Sequence, residues 1–166
     1  MNDSSFMQHV VIRDAVLADT MDLARLAVMA GHGLLDIFYR GLVPGRSTIE
    51  IVAERRMLRK GNFAELVNWR VAMDRDGSVL GALNSFPHDI FETSESDPLL
   101  TAERLAAVDT LTELEVSAKG TYYINIIAVF PERRKAGVGR MLMAEAEGLA
   151  RRSISEERRV GKECRL

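Results

Sequence analysis

The stretch TYYINIIAVFPERRKAGVGRMLMAEAEGLAR, residues Thr121–Arg151, decides the fold of this chain. Its β-branched and aromatic residues end at Phe130, between Gly120 and Pro131, which predicts an apolar strand. Beyond Gly137, apolar residues recur at helical spacing with charged residues opposite them, which predicts an amphipathic helix. The apolar stripe is Val138, Leu142, Ala146 and Leu149, and the charged face carries Arg140, Glu147 and Arg151. We therefore expect a strand, a short loop and a helix.

Two glycines, Gly137 and Gly139, lie at the predicted start of this helix. Free N–H groups and the positive end of the helix dipole meet there, and a glycine lets an anion approach the backbone closely. The pattern suits either a diphosphate site or an ordinary tight turn. Two phosphate-binding motifs are excluded. A triphosphatase loop needs Lys and Ser/Thr after its last glycine, where Arg140 stands, and a dinucleotide loop needs a third glycine.

A resemblance to a known family favours the diphosphate. Arg134, Gly137 and Gly139 fill the fixed positions of the acetyl-CoA-binding motif Arg/Gln-x-x-Gly-x-Gly/Ala, and the strand before them ends in the typical sequence IAVFPE. The segment resembles the GNAT family of N-acetyltransferases, and the likeness extends loosely over residues 10–151. It implies an α/β (α+β) fold with a mixed, mainly antiparallel sheet flanked by helices.

The resemblance also implies an enzyme that transfers an acetyl group from acetyl-CoA to a primary amine by direct attack in a ternary complex. The pantetheine arm would pair with exposed backbone of the fourth strand, and N–H groups of the loop would hold the diphosphate. An N–H near Val129 would polarise the thioester carbonyl. Carried over to this sequence, the acetyl-CoA-binding residues are Ile127, Ala128, Val129, Arg134, Lys135, Ala136, Gly137, Val138, Gly139 and Arg140.

The catalytic group is left open by the sequence. An amine with a pKa of about 10 must lose a proton before it attacks, and several members of the family place a Glu on the fourth strand. Tyr123 stands at that position here, with Asn125 two residues along on the same face. Neither is a good base, so a water relay from an acidic side chain is the alternative. The candidates for that relay are Glu115, Glu113, Asp89 and Glu92.

Composition argues against several other classes of function. The 166 residues suit one domain, and 47% hydrophobic with 28% charged residues suit a globular protein. A net charge of −2 gives no basic surface for nucleic acid, and the longest apolar run, Ile124–Phe130, is too short to span a membrane. The single Cys164 suits a reducing cytoplasm, and the histidines are scattered singly, at His9, His32 and His88, so no metal site is expected. We expect a cytoplasmic enzyme that acts on a small-molecule or protein amine.

The upstream chain predicts further elements of such a fold. They are a strand at His9–Arg13, a helix capped by Asp19 that stops at Gly31, a capping box at Ser47–Glu50 that opens a helix to about Lys60, and a hairpin of Trp69–Met73 and Ser78–Phe86. Leu34–Leu42 predicts one or two helical turns, in which Asp36 and Tyr39 are possible substrate contacts. A helix at Thr101–Val116 is expected to be an insertion that covers the acceptor site.

The residues after the motif helix break the pattern. Residues 1–152 are expected to form the acetyltransferase-like domain, whereas Ser153–Leu166 has no strand alternation where the family places further strands. Ser155–Cys164, SEERRVGKEC, resembles one reading frame of a common sequencing adapter, so we hypothesise that the natural sequence ends near Arg152. A sheet without those strands exposes the edge of the fourth strand, which favours a homodimer. The alternative function is then a non-catalytic acyl-CoA-binding or interaction module.

Overall fold

The computed structural model describes residues 9–88, 101, 102, 104 and 120–163. Its strands are β1 (Val11–Asp14), β2 (Trp69–Met73), β3 (Val79–Pro87) and β4 (Tyr122–Val129). Its α-helices are α1 (Thr20–Ala30), α2 (Leu34–Tyr39), α3 (Thr48–Val52) and α4 (Val138–Glu163). Short 3-10 turns lie at Leu17–Asp19, Leu66–Asn68 and Pro131–Arg133, and a π-helical turn, Ala53–Met57, continues α3.

The four described strands form one antiparallel sheet in the order β1-β2-β3-β4. The β2–β3 hairpin has the predicted turn. The Asp74 carboxylate accepts hydrogen bonds from the N–H groups of Asp76 and Ser78, at 3.1 and 2.9 Å, and Gly77 has a φ of 82°. A left-handed φ of this kind favours glycine, which is why Asp-Gly marked the turn in the sequence.

Helices pack on both faces of the sheet, which confirms the fold that the resemblance implied. One face carries α1, α3 and the π-helical turn, over a core that includes Leu23, Leu26, Ile51, Val52, Trp69 and Val71. The other face carries α4, whose Val138, Leu142 and Ala146 pack with Ala72, Leu80 and Leu83. The apolar stripe predicted for the motif helix is therefore its buried face, and the charged residues opposite it are exposed.

Gly81 sets the distance between β3 and β4. A Cβ built on Gly81 would lie 2.5 Å from the carbonyl oxygen of Ala128 and 3.1 Å from the Cα of Val129. Both neighbours are backbone atoms, so no side-chain rotation could make room. The absence of a side chain at Gly81 therefore allows β4 to lie against β3 where β4 ends.

The start of α1 differs from the prediction. The Asp19 side chain makes no capping hydrogen bond to α1; it pairs with Arg13 at 2.7 and 2.9 Å and accepts the N–H of Val16 at 2.8 Å. The 3-10 turn before the helix directs the carboxylate back toward β1. Asp19 is 5% exposed, and the hydrogen bonds from the Arg13 guanidinium hold its pKa below the usual range.

The capping box of α3 is confirmed. Ser47 Oγ accepts the N–H of Glu50 at 3.3 Å, and the Glu50 carboxylate accepts the N–H of Ser47 at 2.8 Å. The helix is shorter than predicted, because α3 ends at Val52 and the π-helical turn that follows ends at Met57 rather than near Lys60.

Two predictions about the rest of the chain stay open. The backbone is helical as far as Glu163, so residues 153–163 continue α4. The proposed domain boundary at residue 152 and the origin of the tail remain predictions. The expected helix at Thr101–Val116 lies almost wholly outside the described residues.

Candidate functional site

The loop between β4 and α4 passes twice through the left-handed region of backbone conformation. Lys135 has a φ of 65° and Gly137 a φ of 81°. The Gly137 carbonyl accepts hydrogen bonds from the N–H groups of Arg140 and Met141, at 3.0 and 3.2 Å, so α4 begins directly after it. A left-handed lysine costs about 1 kcal/mol, so the loop holds a conformation that its own sequence does not fully favour.

The backbone N–H groups of residues 135–139 have no hydrogen-bond partner within the described part of the chain. Those on either side are engaged. The N–H of Arg134 donates to Pro131 at 3.3 Å, and that of Arg140 donates to Gly137. The positive end of the α4 dipole lies at the same place. Successive free N–H groups at a helix start can bind an anion such as a diphosphate.

Gly139 lies in the first turn of α4 and is not required by the packing of the protein. A Cβ built there would meet only Cγ2 of Val129, at 3.8 Å, which is an ordinary van der Waals contact. The missing side chain leaves open space beside the free N–H groups. That space is what a diphosphate needs in order to touch the backbone.

The Arg134 side chain connects the loop to the strand before it. Its Nε donates to the Val129 carbonyl at 3.2 Å, and its Nη2 lies 3.6 Å from the sulfur of Met29 on α1. This guanidinium therefore fixes the end of β4 and the loop relative to each other. Lys135 makes no ion pair among the described residues, so its charge remains available to an anion.

The carboxyl-terminal half of β4 presents its backbone on the side opposite to β3. Phe130 donates its N–H to Leu80 at 3.0 Å, and the register is regular from Val129 back to Ile126. Peptide groups alternate in direction along a strand, so the N–H and C=O groups of Ile127 and Val129 face away from β3. β4 is the last strand of the described sheet, so this edge can pair with an extended ligand.

A β-bulge divides β4 in two. Asn84 of β3 pairs with Ile126, but the next residue, Ser85, pairs with Ile124, so Asn125 is the additional residue on β4. A bulge bends its strand and redirects the side chains that follow. The two halves of β4 therefore present different groups at the same sheet edge.

Asn84 lies directly beneath the bulge and is fully buried. Its Nδ2 donates to the carbonyls of Phe63 and Asn68, at 3.1 and 3.2 Å, and its Oδ1 accepts from Nδ2 of Asn125 at 2.8 Å. Every polar group of this side chain is thus satisfied, as burial requires. The network joins the loop before β2 to the bulge in β4.

Aromatic side chains surround the amino-terminal half of β4. The ring of Tyr123 lies 5.7 Å from that of Phe86 and 5.1 Å, edge-on, from that of His88. Phe63 lies 5.9 Å from Phe86, and the Arg56 guanidinium covers Phe63 at 4.6 Å. The two residues named as catalytic candidates on this strand, Tyr123 and Asn125, therefore belong to one mixed aromatic and amide surface.

Asp36 and Tyr39, the two predicted substrate contacts near the start of the chain, make contacts within the fold. Asp36 accepts the Thr48 hydroxyl at 2.6 Å and pairs with Arg40 at 3.0 Å, and both contacts lower its pKa, the hydroxyl contact most. Tyr39 is buried. Both side chains are therefore held within the fold. The candidate relay carboxylates, Glu115, Glu113, Asp89 and Glu92, lie outside the described residues.

Neither a metal centre nor a membrane-spanning helix is found among the described residues. No group of three or more His, Cys, Asp or Glu side chains there could hold a metal ion. None of the helices in that part of the chain has both the length and the apolar composition needed to cross a bilayer.

Sequence reasoning missed Asn84 and Phe63. A polar residue inside the apolar run VLGALNSF of β3 was a signal for Asn84, because a buried amide must find partners. Phe63 lies in a loop and gave no periodic signal.

Comparison with known proteins identifies the family. Residues 60–163 match the Acetyltransferase (GNAT) family. The chain belongs to that family. No curated protein sequence matches it significantly.

Solved structures with the same fold include three acetyltransferases. One described simply as an acetyltransferase has a TM-score of 0.60 at 21% identity, and the match covers 86% of this chain and 75% of that one. An N-acetyltransferase from Staphylococcus aureus Mu50 has a TM-score of 0.58 at 19% identity, covering 81% and 73%. A mosquito arylalkylamine N-acetyltransferase like 5b has a TM-score of 0.53 at 17% identity, covering 86% and 71%. At these identities the likeness shows the fold alone.

Family membership assigns the general activity. The protein is a GNAT acyltransferase, and its co-substrate is acetyl-CoA. Enzymes of this family act on amine acceptors.

Proposed function

We propose that this acyltransferase is an N-acetyltransferase that binds acetyl-CoA along the β4 edge and the loop after it, and transfers the acetyl group to a primary amine by direct attack in a ternary complex. One observation carries the proposal: a row of unused N–H groups, at residues 135–139, follows directly on the outward-facing backbone of Ile127 and Val129. A linear ligand with amides at one end and a diphosphate at the other fits that order of donors.

The geometry supports the following roles for these residues. Backbone groups of Ile127 and Val129, flanking Ala128, pair with the amides of the pantetheine arm. The N–H groups of Lys135, Ala136, Gly137, Val138 and Gly139 hold the diphosphate, and Lys135 and Arg140 add positive charge. Because Arg134 already occupies the Val129 carbonyl, the Val129 N–H is the group left there to pair with the arm. The Ile127 N–H, which lies farther from the diphosphate, is then the group that polarises the thioester carbonyl.

Acetyl-CoA supplies an activated acetyl thioester. The amine nitrogen attacks the carbonyl carbon with its lone pair, so that the C–N bond forms and the C–S bond breaks. The nitrogen loses a proton to solvent, and the CoA sulfur takes one from solvent, which gives an amide and free CoA. Position 123 on β4 is a tyrosine and not a glutamate. The described residues therefore contribute to the reaction by binding and orienting the reactants.

The acceptor that this surface suits is an amine with an aromatic or apolar substituent. The cluster of Phe63, Phe86, His88 and Tyr123 lies beside the bulge, next to the proposed thioester position. One solved structure of the same fold is named for arylalkylamine acetylation. 2-Phenylethylamine is therefore the first probe to try.

The first test is the thermal unfolding of the purified protein during an acetyl-CoA titration, with the Gly139→Glu variant beside it. The added carboxylate would occupy the diphosphate position, whereas its Cβ has room and a carboxylate at a helix start is favourable for stability. We expect a saturable rise in Tm for the natural protein and an affinity at least about 100-fold lower for the variant. Gly137 is the wrong position for this test, because its φ of 81° would strain any side chain.

Gly148→Glu is the matched control, because it makes the same change in the same helix. A Cβ there meets only the mobile end of Arg152, at 3.4 Å, so binding should be unchanged. A clean unfolding transition with no rise in Tm would refute the proposed site. A rise without release of CoA thiol across an amine panel that includes 2-phenylethylamine would favour the non-catalytic acyl-CoA-binding module.

A further inference from the structure

We propose that Asn84 and Asn125 form an oriented amide pair, in which buried Asn84 forces Asn125 to present its side-chain carbonyl oxygen to the acceptor amine. Asn125 then contacts the substrate, and Asn84 is a positioning residue. The inference rests on the proposed function and deepens it, because it names the group that receives an N–H of the attacking amine.

The orientation of Asn84 is fixed by its neighbours. Its amide group lies 3.1 Å from the Phe63 carbonyl and 3.2 Å from the Asn68 carbonyl, and main-chain carbonyls can only accept hydrogen bonds. The NH2 group of Asn84 must therefore lie on that side. A reversed amide would place three oxygen atoms together in a fully buried site. Oδ1 of Asn84 is consequently an acceptor directed at the bulge.

That acceptor determines the orientation of Asn125. The group 2.8 Å from Asn84 Oδ1 must be a donor, so it is the NH2 group of Asn125. The carbonyl oxygen of Asn125 is then on the other branch of the side chain. Asn125 is half-buried, and no donor to its oxygen is found among the described residues. The pair therefore leaves one oriented, unused acceptor at the site.

The position of this acceptor suits the reaction. Asn125 is the bulge residue, and Ile127, whose backbone faces the proposed pantetheine arm, is two residues away, roughly 7 Å along the strand. The aromatic surface of Tyr123 and His88 lies on its other side. An amine that packs on the rings can thus direct one N–H to Asn125 and its lone pair toward the thioester.

The chemistry of an amide oxygen gives this arrangement a distinct consequence. An amide accepts a hydrogen bond but takes up no proton at neutral pH, so it orients a free amine without competing for the proton. A carboxylate at the same place would instead form an ion pair with the ammonium ion, which cannot attack. The pH dependence of the natural enzyme should therefore follow the ionisation of the amine.

The competing explanation is that the Asn84–Asn125 hydrogen bond only stabilises the fold, because the pair also joins the bulge to the loop before β2. Both explanations predict a lower Tm when either side chain is removed. They differ in kinetics. Only the orienting role predicts a selective increase in KM for the amine and a pH profile that changes with the charge at position 125.

The experiment measures KM and kcat for 2-phenylethylamine between about pH 6 and about pH 9, together with the acetyl-CoA-dependent rise in Tm. Asn125→Ala should raise the KM of the amine about 10-fold or more and leave the response to acetyl-CoA intact. Asn125→Asp carries a carboxylate throughout this range, because an aspartate has a pKa of about 3.9. That carboxylate should bind the ammonium ion unproductively, so the kcat of this variant should be reduced most at the low end of the range and should rise more steeply with pH than that of the natural enzyme.

Asn68→Ala is the matched control. It removes the hydrogen bond from Asn68 Nδ2 to Phe63, at 3.2 Å, but keeps the main-chain carbonyl that orients Asn84. We expect a lower Tm with an unchanged KM. An unchanged KM and pH profile in both Asn125 variants, with acetyl-CoA binding retained, would overturn the amide pair and leave the proposed function standing.

A second readout does not depend on turnover. In the 15N-labelled protein with CoA bound, 2-phenylethylamine should shift the side-chain amide signal of Asn125, and the Asn84 NH2 protons should exchange slowly with solvent. A fast-exchanging Asn84 amide, or an Asn125 signal that does not respond to the amine, would overturn the inference. Failure of the natural protein to bind acetyl-CoA would instead count against the proposed function.

Discussion

At its carboxyl end, Ile127–Val129, β4 offers backbone groups, whereas at its amino end, Tyr122–Asn125, it offers side chains. The first end continues into a loop whose free N–H groups belong to consecutive residues. The second end is completed by Asn84, Phe63 and His88, which come from other parts of the chain. The bulge at Asn125 is the boundary between them.

The difference shows how each half of the site is specified. A surface made of backbone depends on local conformation, so glycines and a helix start are enough to encode it. A surface made of side chains depends on tertiary packing, and its residues can change without altering the strand. We therefore expect substitutions at the carboxyl end of β4 to weaken acetyl-CoA binding, and substitutions at its amino end to weaken recognition of the acceptor amine.

Gly81→Ala acts at the carboxyl end of β4 and should have the largest effect, because the added methyl group meets backbone atoms that no side-chain rotation can move. The new methyl group would lie 2.5 Å from the Ala128 carbonyl oxygen, so β4 must move away from β3. We expect the free energy of unfolding to fall by about 3 kcal/mol, at the upper end for an overpacked site. Urea unfolding measures this loss, and acetyl-CoA affinity should fall with it because Val129 moves.

Gly148→Ala is the control for Gly81→Ala. It adds the same methyl group inside α4, where only the flexible end of Arg152 is near. We expect no loss of stability and a gain of up to about 1 kcal/mol from helix propensity. If the two variants were equally stable, the close approach of β3 and β4 would not constrain the fold.

Arg13→Ala removes an ion pair that is in contact with neither end of β4. It leaves the Asp19 carboxylate, 5% exposed, with only the N–H of Val16 as a partner. Because Arg13 is itself partly exposed, we expect a loss of about 2 kcal/mol, below the range for a fully buried pair. Acetyl-CoA affinity, measured by calorimetry well below Tm, should be unchanged.

The same pair gives a pH dependence of known sign. The Arg13 guanidinium lowers the folded-state pKa of Asp19 below the unfolded value of about 3.9. The stabilisation is therefore fully present above that value and is lost as the pH falls through the folded-state pKa. Arg13→Ala should unfold with a weaker dependence on pH below about 4 than the natural protein does. Parallel acid-unfolding curves would contradict this assignment.

The sequence predicted the carboxyl end of β4 better than the amino end for a physical reason. The strand, Gly137, Gly139 and the stripe of α4 all lie within one short segment, where local periodicity and turn chemistry apply. The bulge at Asn125 arises from pairing with a strand some forty residues away. Asp19 was wrongly predicted to cap α1 for a similar reason. Its pairing with Arg13 depends on the 3-10 turn before the helix, which the sequence pattern did not predict.

Lys135→Gly should have the smallest effect and tests only the electrostatics of the carboxyl end. Glycine relieves a φ of 65° but frees the unfolded chain, so the free energy of unfolding should change by less than about 1 kcal/mol. Loss of one exposed charge beside the proposed diphosphate site should weaken acetyl-CoA binding about 3-fold at low salt and less at high salt. Calorimetric titration at two salt concentrations measures both.

Lys135→Arg is the matched control for Lys135→Gly, because it keeps both the positive charge and the strained left-handed conformation of residue 135. We expect it to bind acetyl-CoA as the natural protein does. If Lys135→Arg and Lys135→Gly were equally weakened, the side chain would act by shape rather than by charge. If neither were weakened, the N–H groups of residues 135–139 would account for diphosphate binding by themselves, which would make the carboxyl end of β4 still more dependent on backbone alone.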